Sequence, residues 1–212
     1  MGDGGLRLGV AICAVGAAVA LLLQVVRTRS FGTRPPVAEP QGSALRGILY
    51  AFGPGMAPTA KESTRTHPVV YALGVGYHLG IFTAFGVLIW SMRDAAAGSA
   101  LPPAPVRQVA LVLTALGAIG GASLLVRRAS GPMLRPISIP DDYLANLLTT
   151  AFIALAGLRL LAGSLERALL VGAMMLFIYI PLGKIRHCLF FFPARWNLGR
   201  HYGRRGTFPL RH

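Results

Sequence analysis

The side chains best suited to chemistry in this 212-residue sequence are five histidines: His67, His78, His187, His201 and His212. His78 lies ten residues beyond Pro68, hence about 15 Å along a helix that begins there. His187 lies about 7–9 Å before Phe192 by the same rise. Both sit in apolar sequence, where an ionisable side chain is a functional candidate. Neutral imidazole is a good axial ligand for haem iron, and two histidines facing each other across a helix bundle could clamp one haem. Gly74 and Gly80, four residues before and two after His78, leave side-chain-poor surface for a flat macrocycle. Lys184, Arg186 and Arg195 are candidate partners for its propionates. The alternative is two unrelated structural histidines, hydrogen-bonded within a bundle. Spacing alone leaves both readings open.

The remaining histidines read differently. His67 precedes Pro68 at a helix start, and His201 follows Pro193 in a basic segment. They are expected to be interfacial, near lipid phosphates or a partner; a second haem between them is the alternative. His212 is terminal. Cys13 and Cys188 make no metal or redox motif and read as small buried apolar residues.

Elements that position such side chains follow from composition. Hydrophobic residues make up 54% of the chain, charged residues only 13%, and mean hydropathy is +0.58. Soluble domains average about 25% charged, so a soluble globule and a disordered tail are both disfavoured. A bilayer-crossing helix needs roughly 20 mostly apolar residues, and five segments qualify: 8–26, 68–92, 109–126, 143–162 and 169–192. They must be helices, because an open-edged strand leaves its backbone unsatisfied in lipid. The expected fold is an all-α integral membrane protein, a five-helix bundle forming one membrane domain over 1–212. The leading residues MGDGG carry no basic region, so the first span is expected to be a retained helix rather than a signal peptide.

Charge orients the spans. The net charge is +14. Sixteen of the 21 Lys and Arg residues fall in the loop 27–67, the loop after the third span and the tail from Lys184 onward. These regions alternate correctly for one face, and Lys/Arg excess marks the cytoplasmic side. The N-terminus is therefore expected outside, and the C-terminus and basic tail 193–212 in the cytoplasm. Basicity divided between faces in this way does not point to nucleic acid.

Local signals add detail. Ser43–Phe52, in the cytoplasmic loop, has the pattern of a short amphipathic helix on the membrane surface. Ser138 is expected to cap the fourth span, with Asp141 and Asp142 at the positive end of its dipole. Gly117 and Gly121 form a GxxxG pair suited to close helix packing. Arg159 is expected to snorkel to the interface, and Pro181 to kink the fifth span. Tyr77 and Tyr179 read as core residues, with hydrogen bonding to a quinone as the alternative. Phe190–Phe192 and Trp196 read as an interfacial aromatic belt. With no repeats and no buried charge in view, a transporter is disfavoured.

Several short motifs carry a family resemblance: Tyr77-His78-Leu79-Gly80-Ile81-Phe82, Ile137-Ser138-Ile139-Pro140-Asp141-Asp142-Tyr143, Lys184-Ile185-Arg186-His187, Phe190-Phe191-Phe192-Pro193-Ala194-Arg195 and Gly203-Arg204-Arg205-Gly206. Together they resemble the membrane cytochrome b, or gamma subunit, of respiratory nitrate reductase. They resemble more closely its relatives that anchor heterodisulfide-reductase-like and sulfite-reduction-type iron–sulfur complexes. The resemblance spans roughly Arg65 to Gly206 and shares the five-span, N-outside layout. It implies an electron-transfer subunit in a prokaryotic inner membrane, working between quinone and a cytoplasmic iron–sulfur partner. It also implies haem b held by His78 and His187. The nitrate reductase subunit carries a second histidine pair for an outer haem; the corresponding positions here are Leu88 and Leu169. One haem is therefore expected, and a quinone site nearer the inner half. The alternative function is a haem-free membrane anchor for a cytoplasmic enzyme complex.

Overall fold

A computed structural model describes residues 3–30, 32, 39–93 and 101–209. His212 and the Pro35-Pro36 stretch of the inner loop lie outside the described residues. Every regular element among those described is helical: α1 (Asp3–Arg29), α2 (Ala44–Phe52), α3 (Glu62–Thr66), α4 (Pro68–Arg93), α5 (Ala104–Ser130), α6 (Pro140–Leu161), α7 (Glu166–Tyr179) and α8 (His187–Arg204). Within α1, α4, α5 and α6 lie stretches long and apolar enough to cross a membrane, and a fifth crossing is reached only if α7 and α8 count as one interrupted span. The four unbroken spans fall where apolar length places them, several residues longer at some ends.

The fifth span departs from expectation. Its helix stops at Tyr179, passes through a turn at Ile180–Gly183 and a 3₁₀ turn at Lys184–Arg186, and restarts at His187. Pro181 cannot donate to a helical ladder and clashes with the preceding turn. Gly183 is packed so closely on Tyr179 that an added Cβ would strike the tyrosine ring. The result is a break rather than the expected kink. The 14 residues of α7 span about 21 Å, short of the roughly 30 Å hydrocarbon core.

The described residues form two compact units. One draws on Met1–Val19 and Val69–Ile185, the other on Ala20–Pro68 and Arg186–His212. In the first unit, α6 buries Phe152, Ile153, Ala156 and Leu160, and α7 buries Leu169, Leu170, Ala173 and Leu176. Both sets recur with the helical period. From α4, Phe85 reaches between Phe152 and Phe177, with ring centroids 5.3 and 5.8 Å away. Glycines set the closest approaches. A Cβ on Gly80 would lie 2.5 Å from the Gly117 Cα, so α4 and α5 cross backbone to backbone. Gly121 meets Tyr77 and Thr150 instead, so the GxxxG pair of α5 serves two neighbours. Outward faces stay apolar, as at Leu8, Ile12 and Val15 of α1 and Val109, Val112 and Leu116 of α5. Such a surface suits lipid and not water.

In the second unit, Ser43 accepts the Arg46 N–H at 3.4 Å and caps α2. α2 packs on α8 through Gly47, Gly199 and Gly203; a Cβ on Gly199 would sit 2.6 Å from the Ile48 Cα. Beyond α8 the chain turns at Gly206, whose φ of +72° is one that glycine adopts without strain. The Gln41 and Gly42 N–H groups then donate to the Arg204 carbonyl at 2.8 and 3.0 Å, tying the loop to the end of α8.

Candidate functional site

His78 projects from the exposed face of α4, with Val75 and Leu79 beside it and Phe82 one turn on. Its Nδ1 lies 2.7 Å from the Gly74 carbonyl one turn earlier. A carbonyl only accepts, so Nδ1 carries the proton in this contact, and Nε2 is the ring nitrogen left for a ligand. A hydrogen bond from one ring nitrogen to a backbone carbonyl is also how metal-binding imidazoles are oriented. Gly74 adds open surface, since a Cβ there would meet nothing within 4 Å. Gly80 is different. Its surface is occupied by Gly117, so it makes room for α5 and not for a macrocycle. That corrects the expectation of a second flat patch beside His78.

Tyr77, next in sequence, points the other way. Its hydroxyl donates to the Asn146 carbonyl at 3.1 Å and accepts from Thr150 at 3.4 Å. Tyr179 donates to Asp141, at the start of α6. Both tyrosine hydroxyls are thus engaged between helices.

The start of α6 gathers further charge. Ser138 is not its cap; the Ser138 hydroxyl donates back to the Leu134 carbonyl at 2.8 Å. The Asp142 carboxylate takes the capping role by accepting the Ile139 N–H at 3.0 Å. Asp142 also receives Lys184 at 2.7 Å, and Arg128 stands 3.6 Å from it. Lys184, a propionate candidate, is therefore engaged with a carboxylate that ties the broken fifth span to α6.

The second unit holds the other candidates. His187 is exposed at the first position of α8, directly after Arg186. The Arg195 guanidinium lies over the Phe191 ring, 5.7 Å from its centroid, a cation–π placement. His201 stacks edge-on against Tyr202 at 5.1 Å, and His67 is exposed between α3 and α4. Cys188 is exposed and Cys13 half-buried, so neither is the fully buried residue expected. No group of three or more metal-binding side chains occurs among the described residues.

One charged cluster escaped the sequence reading. Arg159 is 1% exposed, not snorkelled, and donates to Glu166 at 3.2 Å. Arg7 donates to the other Glu166 oxygen at 2.6 Å. This buried triad joins α1, α6 and α7 near one end of each. It also removes absence of buried charge as an argument against a transporter. The available signal was Glu166 itself, one of seven acidic residues in the chain, placed at the first turn of an apolar helix.

Leu88 and Leu169 are 3% and 0% exposed, packed in the first unit's core. The chain matches no family model, no curated protein and no solved structure.

Proposed function

We propose that the chain is the membrane cytochrome b subunit of a quinone-linked oxidoreductase in a prokaryotic inner membrane. One haem b would be held by His78 and His187, and electrons would pass between the quinone pool and a cytoplasmic iron–sulfur partner. The observation that carries this reading is the state of His78. It is an imidazole partway along a membrane-length helix, on an apolar outward face, with Nδ1 held by the Gly74 carbonyl. An ionisable ring so placed calls for a partner, and a soft nitrogen lone pair beside the open surface at Gly74 suits haem iron. When bound, the haem supplies one-electron redox chemistry, its potential set by ligand identity and burial.

The chain's own residues have supporting tasks. The Gly74 carbonyl fixes the His78 tautomer. Arg186 and Arg195, flanking His187 in sequence, offer guanidinium groups to propionates. Buried Leu88 and Leu169 favour one haem over two. The basic loop and tail support a cytoplasmic C-terminus and an N-terminus outside.

The test is a dithionite-reduced minus oxidised spectrum of the purified protein. A b-type α band is expected, with haem per chain near one and the band lost in both His78→Ala and His187→Ala. A folded protein without haem would overturn the proposal in favour of a haem-free anchor. Two haems per chain would bring His67 and His201 back as ligands.

A further inference from the structure

Beyond any haem, the second unit carries a surface whose occupant can be read from its chemistry. Phe192, Trp196, Gly199 and Gly203 of α8 follow one another at spacings of four, three and four residues, so they form one stripe along the helix. α2 covers the glycine half. The aromatic half is open, with Phe192 57% and Trp196 53% exposed. On α2, Leu45 and Leu49 are 64% and 63% exposed, roughly a third of a turn or more from the centre of the Gly47–Ile48–Ala51 face that meets α8. Phe52 touches Phe191 at 6.2 Å between centroids, joining the apolar surface of one helix to that of the other.

Charge around this surface is of one sign. Neither α2 nor α8 contains an acidic residue. Arg46, Arg186, Arg200 and Arg205 are exposed and Arg195 and Arg204 half-exposed. Apolar and aromatic side chains edged by arginines are the composition of helices that lie in the plane of an anionic bilayer surface. Connectivity agrees. α8 begins eight residues after the last residue of α7, and α2 lies between the membrane-length helices α1 and α4. An acidic protein would match the arginines but would leave the aromatic stripe unexplained.

We infer that α2 and α8, locked together by Gly47, Gly199 and Gly203, form a module that docks flat on anionic phospholipid headgroups. Phe192, Trp196, Leu45 and Leu49 enter the acyl boundary, and Arg46, Arg200 and Arg204 hold phosphates. Docking would keep α8 in the membrane plane, so the chain crosses the bilayer no further after the break at Ile180–Gly183. This inference does not depend on haem.

The chain's two tryptophans make a direct test. In Trp90→Phe, Trp196 is the sole tryptophan of the full-length protein. The variant is reconstituted into vesicles of phosphatidylethanolamine with phosphatidylglycerol, or of phosphatidylcholine alone. Brominated lipids carry the quencher near the headgroup or near the chain end. Strongest quenching by the shallow bromine, in anionic vesicles, is expected. Each arginine near an anionic surface is worth about fivefold in binding. Arg200→Gln with Arg204→Gln should therefore weaken docking about 25-fold by the same rule. Three results would overturn the inference: no quenching from either depth, as for a face covered by protein; strongest quenching from the deep bromine, as for a crossing helix; or quenching indifferent to anionic lipid. If Trp90→Phe does not fold, the native protein minus Trp196→Phe gives the same signal by difference.

Discussion

Glu166 accepts two guanidinium groups on one carboxylate, in a part of the molecule nearly closed to solvent. Taking three charges out of water is costly, and their mutual attraction offsets that cost only while all three are present. Removing the shared anion leaves Arg7 and Arg159 buried against each other. Glu166→Gln is therefore expected to lower stability by about 3–5 kcal/mol, the cost of breaking a buried pair. Replacing all three residues by Met should cost far less. Thermal unfolding of the detergent-solubilised variants measures both, and equal losses would show that the triad acts through packing alone. At this scale the sequence was only partly legible. His78 could be singled out because its type and its place in an apolar helix suffice, and its bond to Gly74 is a local contact of one turn. The triad could not, because Arg7 and Glu166 are 159 residues apart and nothing in either neighbourhood specifies the partner. Arg159 near a helix end looked free to reach water until α1 and α7 closed over it.

Helices found by apolar length came out where the sequence places them, and glycines decide how they meet. Gly80 and Gly117 face each other so closely that neither tolerates a Cβ without moving a backbone. Gly80→Leu is expected to separate α4 from α5 and cost about 1–3 kcal/mol, the range for overpacking a close-fitted contact. Gly74→Leu, one and a half turns earlier, meets no neighbour and should leave stability within about 0.5 kcal/mol. If that face receives haem, Gly74→Leu should instead disturb the haem spectrum. Stability and spectrum thus separate the two glycines, and a Gly80→Leu protein as stable as the parent would refute the α4–α5 crossing. The broken fifth span shows where length and composition fail. Residues 169–192 read as one apolar run, and hydropathy cannot register that Pro181 and Gly183 together end the helix. The helix Ala44–Phe52 was readable from its amphipathic pattern, but its glycine contact with α8 was not, since the matching glycines lie about 150 residues away.

For the whole molecule, the charge distribution predicts an orientation in the membrane, and two native thiols can test it. Cys188 is exposed beside His187 at the start of α8, whereas Cys13 is half-buried within α1. If α8 lies on the cytoplasmic surface, Cys188 faces that compartment and Cys13 stays within the bilayer. A membrane-impermeant maleimide should then label inside-out vesicles and leave right-side-out vesicles unlabelled. Cys188→Ser should abolish the signal, whereas Cys13→Ser should not change it. The reverse pattern would place the C-terminus outside and contradict the charge asymmetry, because the face with sixteen of the 21 basic residues would then lie away from the cytoplasm. Labelling from neither side would mean that α8 is sunk in the bilayer and completes a fifth crossing. That outcome would put His187 at membrane depth and separate the haem proposal from the surface-docking one.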